Sequence, residues 1–466
     1  PMTPALLRID GAEEIGPDGR HTPIWLRVDG GRIANVSRDP LAPVPGEAQI
    51  DATGEIVTPG LINAHTHSPL AATRGTTDRT NHPAFMWTNQ ADTVGRSAEE
   101  IEAVTTMAAA DMTRHGITGV LDHAPEQTAT LEGIAPIMRA WQRSGVRVSV
   151  GLRIFDGTYD DIGDGGYAPA DNPLKAEPAD VLLAMAVVAI GRWHRPDDGV
   201  KVYPGPSNSE RCSDELLAGA HALAERYDTG FHAHLLETEV QRTARLSATG
   251  ETPVARLARL GALSHRASFA HCVWCDDEDI DLLARHRAVV VHNPHSNAKL
   301  GVGLMALPRM LAAGCEVALG TDGAATNDTL DIHEAMAFAL LLQRAAGTMD
   351  RSQWPTANDA LRMARQGGAA ALLEREQLGE LRVGAWADLT FYDGASATLC
   401  PANDLNQQLV FAERGQSVCR VLVAGRTVYR DGAWPNLDVE GARRVVARMR
   451  NKAADRTQKV EASAKR

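Results

Sequence analysis

Two patterns of apolar and polar positions divide the chain into a middle region and two flanking regions. Between about residues 59 and 373, short apolar segments alternate with longer stretches that have helical periodicity. This alternation is typical of parallel strands joined by right-handed helical crossovers. The middle region, residues 59–374, is therefore predicted to be an α/β fold, a (β/α)8 TIM-like barrel. The eight predicted strands are 61–67, 117–122, 146–154, 200–206, 230–235, 267–271, 288–293 and 316–322.

One helix of the middle region carries its own start and stop signals. Ser97 and Glu100 have the spacing of a capping box, and a helical stretch continues from there to Gly116. Glycine readily adopts the left-handed backbone conformation that ends many helices. The sequence therefore predicts a helix between Ser97 and Gly116.

The flanking regions have the short strands and turn residues of β-hairpins. Short predicted strands separated by Gly, Pro and Asp occupy residues 1–58, and the same pattern of strands and turn residues occurs at 375–435. We expect these two segments to pair into one composite β-sandwich beside the barrel. Residues 436–466 predict a charged helical tail that packs on the surface or on a neighbouring subunit. Residues 156–180 are too long for an ordinary connection and predict an active-site loop or a mobile insertion.

Composition and charge exclude several classes of protein. The 466 residues are 44% hydrophobic and 23% charged, which favours a large core and not disorder. Asp and Glu (59) outnumber Lys and Arg (47), and the net charge of −12 does not favour nucleic-acid or anionic-membrane partners. The cysteines are scattered, and no segment has the apolar length of a signal peptide or a membrane span. We therefore expect a cytoplasmic protein with a small-molecule substrate.

Histidine and aspartate stand at the carboxyl ends of four predicted strands. The first strand ends in His65 and His67, the fifth in a second H-x-H with His234, the sixth in His271 and the eighth in Asp322. Alternate residues of a strand point to the same side, so two histidines at this spacing can reach one ion. The carboxyl ends of barrel strands also form one face, where catalytic groups converge. Imidazole and carboxylate suit borderline divalent cations, so the sequence predicts a shared metal site.

Six segments carry a resemblance to a known family. They are PGLINAHTHSPLAATRG, FHAHLLE, FAHCVW, HNPHSNAKLG, LGTDGAATND and GELRVGAWADL. Their order and spacing resemble the amidohydrolase superfamily over nearly the whole chain. Within it, the chain is similar to the branch of triazine hydrolases and aminohydrolases, with a leaning towards molinate (thiocarbamate) and phenylurea hydrolases. The resemblance implies a barrel flanked by a β-sandwich from both chain ends, and a homodimer or homotetramer.

The resemblance also implies roles for individual residues. The implied metal ligands are His65, His67, His234 and Asp322. Glu237 is the implied general acid/base with His271 as its partner, and Asp322 also takes part in catalysis. We expect one divalent ion per subunit, zinc before cobalt, iron or manganese, because the fourth strand lacks a bridging ligand at its end. Lys201, near the start of that strand, is expected to be structural.

Further residues near the predicted site are candidates for the substrate pocket. The six candidates are Phe85, Met86, Trp87, His123, His295 and Asn327. The first three form an apolar cluster that suits an alkyl or aryl group, although ordinary loop packing explains it equally well. His232 is expected to support the ligands or to line the barrel. Asn297 and Lys299 are expected to brace the loop after the seventh strand.

The sequence favours one reaction and leaves two alternatives open. The segment after the fourth strand reads GPSNSERCS, without the histidine that purine-nucleoside deaminases of this branch carry there. This favours attack by metal-bound hydroxide on an sp2 carbon of a small, neutral, largely apolar thiocarbamate, carbamate or phenylurea, with release of an amine or thiol. One alternative is an aminohydrolase, a deaminase or dechlorinase, of an aminated heterocycle such as an s-triazine or a purine. The other is a non-catalytic relative of the barrel.

Overall fold

The computed structural model describes residues 6–80, 82, 85, 86, 93, 95–157, 176–347 and 350–449. The strands of these residues are β1 (Leu6–Ile15), β2 (His21–Asp29), β3 (Arg32–Ser37), β4 (Ala48–Asp51), β5 (Glu55–Pro59), β6 (Leu61–Thr66), β7 (Ile117–His123), β8 (Arg147–Ile154), β9 (Val200–Pro206), β10 (Phe231–Leu235), β11 (Ala267–His271), β12 (Val289–His292), β13 (Glu316–Leu319), β14 (Leu389–Asp393), β15 (Val418–Val423) and β16 (Arg426–Arg430).

The helices lie mainly between the strands of the middle region. They are α1 (Ala98–Arg114), α2 (Leu131–Ser144), α3 (Ala179–Trp193), α4 (Asp214–Arg226), α5 (Glu239–Thr249), α6 (Pro253–Arg259), α7 (Asp277–Arg285), α8 (Pro294–Lys299), α9 (Leu307–Ala312), α10 (Ala324–Asn327), α11 (Ile332–Ala345), α12 (Ala357–Arg362), α13 (Gly368–Ala371) and α14 (Leu405–Phe411). Short 3-10 turns cover Ser68–Thr73, Glu126–Thr128, Pro196–Asp198 and Arg351–Gln353, and a π-helical turn covers Met363–Gly367. None of the described helices is long and apolar enough to cross a membrane.

The strands of the middle region form two parallel sheets of four. Strands β6 to β9 make one sheet in sequence order, and β10 to β13 make the other. A bridge between Asn208 and His234 joins the sheets at one edge. At the other edge, the backbone N–H groups of Thr321 and Asp322 donate to the carbonyl of His65, at 3.1 and 3.0 Å. This is the predicted α/β arrangement, although among the described residues the two half-sheets meet through these few bonds and not through a continuous ladder.

The eight parallel strands lie close to their predicted positions. They are covered on both sides by other elements, which explains their nearly continuous apolar sequence; β7 and β8, for example, are buried throughout. The largest difference concerns β13, which ends at Leu319 and not at Asp322. Asp322 has a left-handed backbone with a φ of 58°, so the chain leaves the strand before it reaches this residue.

Local capping signals place helix α1 as predicted. The Ser97 side chain accepts from the backbone N–H of Glu100, and the Glu100 side chain accepts from that of Ser97. The chain leaves the helix at Gly116, whose φ is +81°. Both ends of this helix are therefore set by residues that the sequence singles out.

Strands from both chain ends form one mixed sheet. Its order is β16-β15-β14-β5-β1-β2-β3, and β4 also pairs with β1. The antiparallel pairing of β14 with β5 joins the two chain ends, and a core that includes Ile9, Leu26 and Phe391 stabilises the sheet. The two chain ends therefore pair as predicted, in one hydrogen-bonded sheet of eight strands, and the composite sandwich stays a prediction. The limits of the regions, 1–58, 59–374, 375–435 and 436–466, stay predictions.

The C-terminal tail begins as a helix that packs on the protein's own surface. Residues 439–449 are helical, and Val439 and Ala442 are buried. Arg448 forms an ion pair with Glu99 of α1 at 3.2 Å. The rest of the predicted tail, 450–466, lies outside the described residues, as do 158–175 of the predicted active-site loop.

Candidate metal and catalytic site

Three histidines and one aspartate meet at the carboxyl ends of the parallel strands. His65 and His67 lie at the end of β6, His234 lies on β10, and Asp322 follows β13. The Nε2 atoms of His67 and His234 are 3.3 Å apart. Oδ1 of Asp322 lies 3.2 Å from Nε2 of His67 and 3.6 Å from Nε2 of His65. These four buried residues, which we call the His–Asp cluster, share one face as the strand pattern predicts.

Backbone carbonyls orient two of the three imidazoles. The Nδ1–H of His67 donates to the carbonyl of His123 at 2.5 Å, and that of His234 donates to the carbonyl of Ser207 at 2.7 Å. We assign the Nδ1–H tautomer to both rings on these bonds. Their Nε2 lone pairs therefore point into the cluster.

A chain of hydrogen bonds orients the third imidazole in the same way. The Ser268 hydroxyl donates to the carbonyl of Phe231 at 3.5 Å and accepts from Nδ1 of His232 at 2.7 Å. Nε2 of His232 then accepts from Nδ1 of His65 at 2.8 Å. Nε2 of His65 is buried and has no hydrogen-bond partner. His232 thus supports His65, in line with the role expected from the sequence.

The donor set of the cluster fits a divalent metal ion. Burial lowers the pKa of His65 to about 3 and that of His234 well below its usual value, so both imidazoles are neutral at pH 7. Two nitrogen ligands about 2.0–2.1 Å from one tetrahedral zinc ion lie about 3.3 Å apart. Neutral inward nitrogens at that spacing, beside a carboxylate, are what such an ion requires.

Asp322 is held in place by its neighbours and by a strained backbone. Its Oδ2 accepts from the hydroxyls of Ser296 at 2.6 Å and Thr326 at 3.2 Å, and its Oδ1 accepts from the backbone N–H of Gly323 at 2.8 Å. Asp322 shares its left-handed backbone with Leu236 and His271, whose φ values are 49° and 79°. Non-glycine residues in this conformation cluster at functional sites, where the surrounding structure enforces it.

Glu237 lies beside the His–Asp cluster, between two histidines. Its Oε2 is 3.2 Å from Nε2 of His82 and 3.8 Å from Nε2 of His271. Burial alone would raise the pKa of Glu237, but the two imidazoles outweigh it and lower that pKa to about 2. The carboxylate is therefore ionised at neutral pH, which is the state that a general base needs.

Asn297 orients His271 towards Glu237. The Nδ1–H of His271 donates to Oδ1 of Asn297 at 2.8 Å, which leaves Nε2 on the side of Glu237. Lys299 binds instead to the carbonyl of Ala325 at 3.2 Å and forms an ion pair with Asp328. The sequence predicts both residues as loop braces, and the structure adds a direct contact between Asn297 and a candidate catalytic side chain.

A pocket opens onto the His–Asp cluster and Glu237. Of the predicted pocket residues, Phe85 and Met86 line it, whereas Trp87 lies outside the described residues. The lining residues are His67, Leu70, His82, Phe85, Met86, Pro125, Glu126, Arg153, Asn208, His234, Glu237, Gln241, His271 and Asp322.

Three predicted pocket residues lie behind or beside the pocket and do not line it. His123 packs behind His234, with ring centroids 4.9 Å apart, and its Nε2–H donates to the carbonyl of Gly205 at 3.1 Å. His295 stacks on Phe338 at 4.1 Å. The Asn327 amide donates to the carbonyl of Thr321 at 2.7 Å and so braces the turn that carries Asp322. Their role in substrate binding stays a prediction.

Several lining residues were not identified from the sequence. Glu126 accepts from the Ser207 hydroxyl at 3.1 Å and forms ion pairs with Arg211 and, at 3.2 Å, with Arg153. His82 is another new residue, and it reaches Glu237 from the segment that follows β6. A signal existed for Arg153, because a charged residue near the end of an otherwise apolar barrel strand points to the catalytic face.

Lys201 has a structural role, as the sequence predicts. Its Nζ donates to the carbonyl of Leu372 at 2.8 Å and forms a buried ion pair with Glu374 at 2.7 Å. It is therefore engaged between β9 and the segment after α13, away from the His–Asp cluster.

Sequence comparisons give the chain close relatives. The profile of the Amidohydrolase family matches residues 56–428. The 5-methylthioadenosine/S-adenosylhomocysteine deaminase of Syntrophobacter fumaroxidans is 32% identical over 438 residues, which cover 91% of this chain and 93% of the relative. The 5'-deoxyadenosine deaminase of Methanothermobacter thermautotrophicus is 32% identical over 410 residues, 87% of this chain and 89% of the relative.

Solved structures of similar proteins share the fold over nearly the whole chain. A zinc-bound adenosine deaminase from Xanthomonas campestris is 26% identical with a TM-score of 0.82, over 96% of this chain and 98% of the other. The atrazine chlorohydrolase of Arthrobacter aurescens TC1, solved with zinc, is 25% identical with a TM-score of 0.85, over 96% and 99%. These neighbours confirm the TIM-like α/β fold.

The relatives separate the functions that the sequence left open. They are enzymes, so the non-catalytic alternative is wrong. None of the relatives or structures reported above is a thiocarbamate or phenylurea hydrolase, and the deaminases among them favour the aminohydrolase alternative. The chain belongs to the amidohydrolase family and is a metal-dependent hydrolase that acts on carbon–nitrogen bonds.

Proposed function

We propose that the protein is a zinc-dependent aminohydrolase that releases ammonia from an aminated aromatic heterocycle. The observation that carries the proposal is the His–Asp cluster with Glu237 beside it in one pocket. Relatives that are 31–35% identical and bear the names of adenosine-type deaminases support the leaving group and the kind of ring.

The His–Asp cluster supplies the ligands that the proposal needs. The metal ion would be held by the Nε2 atoms of its three histidines and by the carboxylate of Asp322. When bound, a divalent ion lowers the pKa of a water molecule and so makes a nucleophile available at neutral pH.

Glu237 is placed to move the protons of the reaction. In hydrolytic deamination a new C–O bond forms, the bond to the exocyclic nitrogen breaks, and water gives one proton to a ring nitrogen and one to the leaving amine. Glu237 is ionised, so it can take a proton from the attacking water and pass it to the ring nitrogen or to the amine.

His271 and Asp322 complete the proposed machinery. The bond to Asn297 fixes the His271 ring so that Nε2 lies towards Glu237 and the pocket, where it can polarise a heteroatom of the substrate. Asp322 is held in place by two hydroxyls and one backbone N–H, and its carboxylate can accept a hydrogen bond from the nucleophile.

The walls of the pocket suit a flat ring with polar edges. Leu70, Phe85, Met86 and Pro125 provide apolar surface for the faces of an aromatic ring. The polar lining residues besides the proposed ligands and catalytic groups are His82, Glu126, Arg153, Asn208 and Gln241. A purine-like or triazine-like ring offers these side chains several donors and acceptors at its edge. A thiocarbamate offers only one carbonyl at its edge and so would form fewer hydrogen bonds with this polar lining.

The test is product identification with the zinc-loaded protein. The panel contains 5'-methylthioadenosine, 5'-deoxyadenosine, S-adenosylhomocysteine, guanine, an amino-s-triazine, a thiocarbamate and a phenylurea. We expect ammonia and the matching oxo product from at least one of the first five compounds, and none from the Glu237→Gln control. Release of a thiol or an aniline from the last two, with no ammonia from the others, would overturn the proposal.

A further inference from the structure

One face of helix α3 is apolar although it is exposed. The residues on this face, which we call the α3 stripe, are Asp180, Val181, Ala184, Val188, Gly191 and Arg192, all of them exposed. At 100° per residue they fall within about 120° of the helix circumference. Val181 and Val188 are 50% and 51% exposed. The α3 stripe is about 18 Å long, with Asp180 at one end and Arg192 at the other, and it has no polar side chain between these two residues.

The opposite face of the helix is already packed. Leu182, Ala186, Ala189 and Ile190 are buried against the rest of the protein. A surface helix of a globular protein normally has a polar outer face, and a helix that is apolar on both faces is normally covered on both. Contiguous exposed apolar surface of this kind marks interaction sites.

We propose that the α3 stripe is a two-fold interface at which α3 packs antiparallel on α3 of a second copy of the chain. A two-fold axis brings the same patch of both subunits together, so the patch must be complementary to itself. The α3 stripe meets this condition in side-chain size and in charge.

The sizes of the side chains match across such an axis. An axis at the level of Ala186 brings Ala184 opposite the partner's Val188, and Val181 opposite the partner's Gly191. Each contact therefore pairs a valine with a small residue. This allows the two helices to approach to the usual 8–10 Å between axes.

The charges fix the direction of the helices. The same axis brings Asp180 opposite the partner's Arg192 at one end of the interface. At the other end it brings Arg192 opposite the partner's Asp180. A parallel arrangement would place Asp180 against the partner's Asp180, which is unfavourable. Charge pairs at the rim of an interface contribute mainly to register and orientation. The half-buried Leu183, Met185 and Val187 widen the apolar surface beside the stripe.

The first test measures the mass of the full-length, zinc-loaded protein by sedimentation equilibrium. Protein concentrations between about 0.1 and 50 μM bracket a dimer dissociation constant of about 1 μM. A reductant is needed because Cys400 is exposed. We expect the wild-type protein to form an oligomer with an even number of chains. The Val188→Glu variant should have half the mass of the wild-type oligomer. Val383→Glu is the matched control, because Val383 is 58% exposed and lies outside the stripe, so its mass should equal that of the wild type.

The second test is an exchange of charges. Asp180→Arg and Arg192→Asp should each raise the dissociation constant about tenfold, which corresponds to about 1.4 kcal/mol. The double variant should have a dissociation constant within about threefold of the wild-type value, because each pair again joins opposite charges, with the two charges exchanged. Circular dichroism and zinc content check that each variant is folded. A monomeric wild type at 50 μM, an oligomer that Val188→Glu leaves intact, or a double variant as weak as the single ones would each overturn the proposal.

Discussion

Two buried groups of polar residues around histidine differ in how their atoms are satisfied. In the His–Asp cluster, every Nδ1 has a partner, whereas the Nε2 atoms face one another or Asp322 and that of His65 has no hydrogen bond. In the second group, Asp331, His333 and Tyr392, both nitrogens of the buried imidazole are engaged. Nδ1 of His333 donates to Asp331 at 2.9 Å, and Nε2 accepts from the Tyr392 hydroxyl at 3.1 Å.

The difference separates a site from a structural network. Asp331 and His333 belong to the start of α11 and Tyr392 belongs to β14, so their bonds join the middle region to the mixed sheet. Buried polar groups that satisfy one another make a region rigid and leave no position for a ligand. Buried nitrogens that converge without donors between them indicate that a cation belongs there. The burial of a histidine is therefore less informative than the direction of its lone pairs.

The largest effect should come from the removal of one inward-facing nitrogen. His67→Ala takes away a ligand that lies 3.2–3.3 Å from two others. We expect the variant to lose its metal and at least about 10³-fold in activity, because the metal supplies the nucleophile. Metal content by mass spectrometry, together with ammonia release, measures both. A variant with full metal content would mean that the cluster is not the metal site.

Glu237→Gln should separate metal binding from proton transfer. The amide cannot accept a proton, but it keeps the size of the carboxylate beside His82 and His271. We expect unchanged metal content and a fall in kcat of about 10²–10⁴, the usual contribution of a general base. Retention of wild-type kcat would remove Glu237 from the mechanism.

His232→Ala tests the hydrogen-bond chain behind His65. The substitution removes the acceptor for Nδ1 of His65 and leaves all four proposed ligands in place. Loss of a residue that orients a ligand usually lowers metal affinity about 10–100-fold. Competition with a chelator of known affinity measures the change. An unaltered affinity would show that His65 needs no such support.

His333→Leu should change stability and leave catalysis almost unchanged. The variant keeps the bulk of the side chain but leaves the buried Asp331 carboxylate and the Tyr392 hydroxyl without their common partner. We expect the free energy of unfolding to fall by about 2–4 kcal/mol, with kcat and metal content within about twofold of the wild type. Urea denaturation measures the first quantity. A large loss of kcat without a loss of stability would contradict the comparison.

The sequence predicts what strand geometry controls and misses what loops control. Side chains alternate along a strand, and parallel strands end on one face, so the meeting of His65, His67 and His234 follows from local pattern. The path of a loop has no such periodicity. The reach of His82 to Glu237 from the segment after β6 could therefore not be read from the chain.

The predicted candidates that do not line the pocket show the same limit. His295 and Asn327 lie within a few residues of Asn297 and Asp322, which do belong to the site. Both sit on short helices, α8 and α10, where a rotation of 100° per residue decides which side chain faces the pocket. Sequence proximity to a motif therefore locates the helix, but packing decides which of its residues face the pocket.

The left-handed backbone at Leu236, His271 and Asp322 sets a limit on efforts to make this enzyme more heat-resistant. Each such residue costs about 1–2 kcal/mol of folding free energy relative to a relaxed conformation. Exposed left-handed residues far from the site, Arg287 and Glu376, can be exchanged for glycine with a gain of up to about 1 kcal/mol each. The same exchange at Asp322 or His271 would relax the backbone and remove a side chain that the chemistry uses. Selection for thermal stability alone would therefore be expected to replace left-handed residues that the chemistry needs along with those that it does not need.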